Sequence, residues 1–274
     1  MTDAVDDQSR ARQSGNDGQM TLMEHLAELR NRLIKSVVAV AVGGVLCWFF
    51  YTWILDFLLE PYCRTFPLED RIDSALYGPE GGCNLFVTNP LEPFSVRLTV
   101  AGYGGLALAI PVVLWQAWRF VAPGLYRHEK RYAVPFVVAG SLLFFLGAGL
   151  AYWSLPRALG FLVNIGGPDL KSLFSPKPYL GFVIKMMVAF GIAFQFPIFL
   201  IGLQAMGIVE NRTLRKIRSY AVVGIVVLVA VITPSGDPFT LLALSIPMYV
   251  FYEVSILWGV LARRRRRKRG EPDP

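Results

Sequence analysis

Residues 133–155 read AVPFVVAGSLLFFLGAGLAYWSL, and this stretch carries no charged side chain. A helix of about 20 apolar residues, rising 1.5 Å per residue, crosses the ~30 Å hydrocarbon core of a bilayer. Five further apolar segments follow the same pattern, and they are Val37–Leu55, Leu98–Trp118, Tyr179–Ile208, Tyr220–Ile232 and Phe239–Ala262. The sequence therefore predicts an all-α polytopic membrane protein with six transmembrane helices.

The fifth segment is shorter than the others. Tyr220–Ile232 has 13 residues, which cover roughly 20 Å as a helix. The connections on both sides still require it to cross the membrane. Thr233–Pro238 contains only turn-forming residues, so we predict that segments five and six form a tight helical hairpin.

Basic residues are distributed unequally between the two sides of the predicted membrane. Twenty Lys and Arg residues lie on the side of the two chain termini and six on the other side, which predicts that both termini are cytoplasmic. Seven of the twenty form one run, 263–269. No aromatic residue interleaves with this run, so we expect it to contact anionic lipid rather than nucleic acid.

Composition divides the chain into three parts. Residues 1–19 are polar and predict a disordered cytoplasmic tail. Residues 20–262 form the six-span membrane domain, and 263–274 a basic cytoplasmic tail. Leucines at helical spacing before the first span predict an amphipathic helix that lies along the membrane surface and runs into that span. Prolines inside or at the edge of four spans bend helices, which favours a curved bundle; they are Pro111, Pro135, Pro197 and Pro247.

The three cysteines do not form a metal or redox motif, because the chain has no C-x-x-C. Cys47 lies in an apolar run and is predicted to be a small core residue. Cys63 and Cys83 share the large polar loop 56–95. A disulfide between them is expected if that loop faces an oxidising compartment. We expect no metal and no cofactor, since two histidines are too few for a metal site.

Four strings together resemble the TatC family of twin-arginine protein translocases. They are HLAELR at 25–30, PVVLWQAWRFVAPGLYRHEKR at 111–131, FQFP at 194–197, and ITP at 232–234 followed by IPMY at 246–249. The resemblance runs from about residue 20 to 260. It implies a receptor in the bacterial inner membrane that binds the twin-arginine signal peptides of folded cargo. It also implies TatA-like and TatB-like single-span partners, homo-oligomers, the proton motive force as driving force, and no enzymatic activity.

Two adjacent arginines call for carboxylates, because a guanidinium donates two parallel hydrogen bonds to one carboxylate. The resemblance selects Glu28 and Glu129 as the signal-peptide contacts. It gives Arg30, Arg32 and His25 supporting roles, in orienting Glu28 or touching the peptide. Sequence alone also allows simpler roles. Glu28 has the four-residue spacing of an ordinary helix ion pair with Arg32. Glu129 could be a solvated charge in a loop, beside Lys130.

A second set of residues is assigned to contacts with partner helices: Gln195, Thr233, Pro234 and Met248. Gln195 is a polar amide in the middle of the fourth segment, where an unpaired amide is costly. An internal hydrogen bond within the bundle is the alternative. Many TatC relatives carry glutamate at this place, and glutamine cannot titrate, so the resemblance does not carry over a proton-dependent role.

Two other functions fit the sequence less well. A small-solute transporter typically has charged groups near the bilayer centre. Only Lys185 and Glu253 are candidates for such groups, and they are predicted to lie in different halves of the membrane. A membrane-embedded enzyme is also considered. The sequence contains neither H-E-x-x-H nor G-x-S-x-G, so catalysis is the weakest of the three readings.

Overall fold

The computed structural model describes residues 22–65, 85, 87–121, 133–167, 174–205, 207–234 and 236–268, and every regular element in these ranges is an α-helix. In chain order the helices are α1 (Leu22–Phe49), α2 (Tyr51–Thr65), α3 (Glu92–Val121), α4 (Ala133–Asn164), α5 (Pro176–Ala193), α6 (Phe196–Ala205), α7 (Asn211–Lys216), α8 (Arg218–Ile232) and α9 (Pro238–Lys268).

The lengths of the helices confirm the predicted spans. Five stretches are long and apolar enough to cross a membrane, and they are Leu26–Phe49, Glu92–Phe120, Val134–Asn164, Pro176–Gln204 and Pro238–Arg264. α8, with 15 residues, is the predicted shorter span and the fifth in chain order. Large apolar side chains point outward along these helices; Phe49 is 77% exposed and Val231 80%. Such a surface is stable only in contact with lipid, so the chain is a multi-pass membrane protein.

The N-terminal part of the domain differs from the prediction in one way. The amphipathic leucine stripe runs into the first span as predicted, because α1 is continuous from Leu22 to Phe49; its position along the membrane surface stays a prediction. The apolar run that we predicted as one span to Leu55 is instead interrupted by a turn at Phe50, and α2 begins at Tyr51. The reason is tertiary packing: Leu58 and Tyr62 of α2 are buried in the main core, which draws α2 back onto the bundle.

α1 is held to the bundle mainly by α3. The two helices approach closely at Gly44 and Gly105. A Cβ atom on Gly105 would lie only 2.6 Å from the carbonyl oxygen of Val40, and a Cβ on Gly43 would lie 2.8 Å from the carbonyl oxygen of Gly105. Only glycine allows this backbone contact.

The end of the bundle that carries α2, called the α2 end here, is tied together by Glu92. Its Oε2 accepts a hydrogen bond from the Thr88 backbone N–H (3.1 Å) in the manner of a capping box, and its Oε1 accepts one from the backbone N–H of Lys177 (2.9 Å). The carboxylate is buried at 5% exposure. Glu92 therefore fixes the start of α5 at the same level as the start of α3.

The opposite end is called the basic end here, because it carries Arg30, Arg119, α7 and the arginines of α9. α9 continues through the predicted tail boundary at residue 263 as far as Lys268, since Arg and Lys are good helix formers. At the α2 end its start is capped by Asp237, whose Oδ1 accepts a hydrogen bond from the Thr240 backbone N–H at 2.8 Å.

The core lies where α4, α5 and α9 meet. α9 contributes a stripe of fully buried side chains at four-residue spacing, namely Leu244, Met248, Tyr252 and Ile256. Gly147 of α4 lies so close to α5 that an added Cβ would be 2.6 Å from the carbonyl oxygen of Phe190. The predicted bend before Pro197 is a full interruption, with a turn at Phe194 and Gln195 between α5 and α6.

Candidate functional site

Glu28 and Arg32 form an ion pair on α1 near the basic end, with Arg32 Nη2 donating to Glu28 Oε1. The Arg32 side chain is only 13% exposed and that of Glu28 25%. The four-residue spacing with Glu first is the favourable order on a helix. The simpler role considered for Glu28 is therefore realised in the structure, and the carboxylate sits in a half-buried position next to a guanidinium.

Arg32 also connects α1 to α3. Its Nη1 donates to the backbone carbonyl oxygen of Gln116 at 3.4 Å. Arg30, two residues earlier, is exposed. His25 lies in α1, and its side chain is outside the part of the chain that the structure describes. The structure thus places Glu28 and Arg32 together against α3, with Arg30 turned to solvent.

The basic ends of α3 and α4 are held together by a small apolar cluster. The rings of Trp118 and Phe136 lie with their centroids 4.2 Å apart, and Val137 packs on them. Segment 122–132 connects these two anchored ends. Glu129 belongs to this segment and lies outside the described residues, so its predicted role stays a prediction.

Gln195 makes an internal hydrogen bond, which was the alternative to a partner contact. Its Nε2 donates to the carbonyl oxygen of Gly140 in α4 at 2.9 Å. Its Oε1 is buried and has no hydrogen-bond partner among the described residues. The amide is thus half satisfied, and large apolar side chains on either side of it, Ile192 and Phe199, are exposed.

The other predicted partner contacts lie at the end of α8, in the turn after it and in α9. Thr233 is buried at the C-terminal end of α8, where its hydroxyl donates to the carbonyl oxygen of Val229. Pro234 follows it and is exposed. Met248 has no exposed surface, because it is one of the core residues of α9. Pro234 is therefore open to a partner helix, whereas Met248 could reach one only if the core opened.

Cys63 is disulfide-bonded in the structure. Cys47 is a free, buried thiol in α1, as predicted. Cys83 lies outside the described residues, and the pairing of Cys63 with Cys83 stays a prediction.

Sequence reasoning missed a set of polar contacts that holds the α6–α7 corner against α9 at the basic end. Asn211 Nδ2 donates to the carbonyl oxygen of Ile256 (2.8 Å), and Gln204 Nε2 to that of Ser255 (3.1 Å). Nearby, Arg218 forms an ion pair with Glu253 at 2.8 Å, which supplies the partner that the sequence could not identify. Polar residues at the end of an apolar segment were the available signal for Gln204 and Asn211.

No group of three or more His, Cys, Asp or Glu side chains in the described ranges is arranged to hold a metal ion. The charged groups at the basic end, Glu28 and Arg32 among them, form charge-assisted hydrogen bonds.

Comparison with known proteins gives one consistent result. Residues 24–247 match the family model described as Sec-independent protein translocase protein (TatC). The chain is 39% identical to TatC of Frankia casuarinae, over 94% of this chain and 70% of the relative. It is 37% identical to TatC of Aquifex aeolicus, over 91% and 98% of the two chains. It is 34% identical to TatC of Escherichia coli, over 91% and 92%.

A solved structure gives the same match in three dimensions. A crystal structure of the twin-arginine translocase receptor TatC superposes with a TM-score of 0.68 at 37% identity, covering 88% of this chain and all of that one.

Proposed function

This chain belongs to the TatC family and is a subunit of the Sec-independent twin-arginine translocase, and on that premise we propose that it binds the twin-arginine signal peptides of folded proteins at its basic end. Glu28 of α1 and Glu129 of segment 122–132 are the carboxylates that receive the two peptide arginines. Arg32 positions Glu28, and Arg30 and His25 line the approach.

The observation that carries this proposal is the Glu28–Arg32 pair. The Glu28 carboxylate already accepts a guanidinium in a half-buried setting, where charge-assisted hydrogen bonds are stronger than on an open surface. A peptide arginine presents the same group. Arg32 is held by the Gln116 carbonyl oxygen, which keeps the carboxylate on the face of α1 that packs on α3.

Glu129 is included because of where its segment is anchored. Trp118 and Phe136 fix the two ends of segment 122–132 beside each other. Gln116, which receives Arg32, lies five residues before the end of α3 at Val121. The end of α3, from which the segment continues, therefore lies on the same side of the bundle as Glu28, and recognition of two adjacent arginines calls for a second carboxylate there.

The remaining features concern the complex. The chain is part of a Tat complex with other Tat components. We infer TatA-like and TatB-like single-span proteins as the partners, contacting the lipid-facing surface beside Gln195 and the exposed Pro234, with the proton motive force driving export. The excess of Lys and Arg at the basic end supports a cytoplasmic location for both termini in the bacterial inner membrane.

Site-specific crosslinking tests the location of the peptide. A photoreactive residue at position 28 or 129 should crosslink to a twin-arginine peptide, and one at Glu210, an exposed acidic position at the same end, should not. A peptide in which both arginines are replaced by lysine should crosslink less, because lysine lacks the bidentate fork. Equal crosslinking from positions 28 and 210 contradicts the assignment.

A further inference from the structure

A pocket of about 330 Å³ lies between α3, α5 and the end of α8. It is lined by Tyr103, Lys185, Val188, Ala189, Ile192 and Ile232. Lys185 is its one charged lining residue and is exposed. An ammonium group at the wall of an otherwise apolar pocket in a membrane-spanning bundle calls for an anion.

The pocket lies well below the α2 end of the bundle. Lys185 follows the start of α5 at Pro176 by nine residues, or about 13 Å along the helix. Tyr103 follows the start of α3 at Glu92 by 11 residues, or about 16 Å. Because Glu92 ties the two helix starts to one level, both residues are at similar depth.

The α8–α9 hairpin ends at the same depth. Ile232, the last residue of α8, lines the pocket with Lys185. Phe239, in the first turn of α9, packs on Trp153 with ring centroids 6.0 Å apart. Trp153 precedes the end of α4 at Asn164 by 11 residues. The tip of the hairpin is thus recessed by roughly 10 Å or more below the ends of α3, α4 and α5.

Within the described part of the chain, no carboxylate lies at ion-pair distance from the Lys185 ammonium. A second cation, Arg157, lies above the hairpin, with its guanidinium 4.3 Å from the Trp153 ring centroid and 5.1 Å from that of Phe239. Two positive charges therefore lie where the membrane-spanning apolar surface of the protein is shortest, at the tip of the α8–α9 hairpin.

We propose that the Lys185 pocket binds the phosphate of a phospholipid from the leaflet at the α2 end. The recessed hairpin lets headgroups descend to the level of Ile232. There the Lys185 ammonium donates to the phosphate, Tyr103 flanks it, and Val188, Ala189 and Ile192 contact the glycerol and upper acyl chain. The bound lipid holds the bilayer thin over α8, because releasing it would expose an unpaired ammonium to hydrocarbon.

Depth-resolved lipid crosslinking tests this on the purified full chain in phosphatidylglycerol nanodiscs. One phosphatidylglycerol probe carries a diazirine on the headgroup, and a second carries it at the end of an acyl chain. The headgroup probe should label α5 within one turn of Lys185, at residues 182–188, and the acyl-end probe should not. Lys185→Gln should reduce headgroup labelling there about tenfold or more, and Lys185→Arg should retain it.

Lys177→Gln is the matched control, because Lys177 is an exposed lysine near the start of the same helix; its loss should leave labelling at residues 182–188 unchanged. The proposal is overturned if the acyl-end probe labels residues 182–188 in the wild-type chain, or if Lys185→Gln labels like wild type. The wild-type comparison needs no variant, so the test does not depend on how a variant folds.

Discussion

Gln195, in the turn between α5 and α6, donates a hydrogen bond from its Nε2 to the carbonyl oxygen of Gly140 in α4, at 2.9 Å. This contact joins two helices at the point where one of them is interrupted. It also explains the small residue on α4: a Cβ atom on Gly140 would lie 2.9 Å from the Leu114 side chain and 3.2 Å from Gln195 Oε1.

Replacing Gln195 by alanine should destabilise the protein modestly. Hydrogen bonds between membrane helices contribute about 0.6 kcal/mol on average and up to about 1.7 kcal/mol, so thermal unfolding in detergent should occur at a lower temperature. Phe199→Ala is the control, because Phe199 is 64% exposed to lipid and its loss removes little packing. Equal unfolding temperatures for Gln195→Ala and wild type would show that the bond does not stabilise the fold.

The contact between α1 and α3 depends on glycine. Gly105→Ala should cost about 1–3 kcal/mol through overpacking, because the new Cβ would meet the backbone of Gly44 and Val40. Gly102 lies on the same helix with open space around its Cβ position, so Gly102→Ala should be tolerated. Thermal unfolding of the two variants checks this. The Gly105→Ala variant should also bind the signal peptide more weakly, because moving α1 away from α3 breaks the hydrogen bond from Arg32 to the Gln116 carbonyl oxygen.

The length of α8 should matter for transport. Its 15 residues cover about 22 Å, short of the ~30 Å core, and the bilayer must thin to match it. Inserting one turn of leucine and alanine into α8 should leave signal-peptide binding intact and slow cargo export. A variant with the same residues substituted into α8 without added length is the control. Normal export by the lengthened protein would show that thinning at this hairpin is not required.

Cys63 should be linked to Cys83. Peptide mapping by mass spectrometry, on protein purified without reductant, should recover the two cysteines in one crosslinked peptide pair. Cys47 should be alkylated only after denaturation, because it is buried. Free thiols at both positions 63 and 83, or Cα atoms more than about 7 Å apart in an experimental structure, would contradict the pairing.

Sequence alone predicted the features that depend on composition along the chain. The long spans, the short α8 and the tight turn between α8 and α9 follow from apolar length and turn chemistry. The turn at Phe50 was missed because apolar length cannot distinguish one long span from two helices separated by a turn. The hydrogen bond from the Lys177 backbone N–H to Glu92 and the ion pair between Arg218 and Glu253 were missed, because the two residues of each pair are far apart in the chain. Only packing brings these groups together.

The candidate site was predictable to a lesser degree. The residues showed that Glu28 could pair with Arg32, and the family resemblance selected Glu28 for peptide binding. Neither indicated that Arg32 is held by the backbone of α3, because a carbonyl acceptor leaves no signal in a side-chain pattern. The burial of Met248 was also hidden, since a core stripe and a partner-facing stripe have the same helical spacing.

The central claim is that Glu28 and Glu129 bind the two arginines of the signal peptide, and the affinity of the purified chain for a twin-arginine peptide tests it most directly. Isothermal titration in detergent should show binding weakened about ten- to a hundred-fold by Glu28→Ala and by Glu129→Ala, because each removes one partner of a charge-assisted hydrogen bond. Glu210→Ala, at the same end of the bundle, should bind like wild type. Wild-type affinity in the Glu28→Ala, Glu129→Ala double variant would contradict the account.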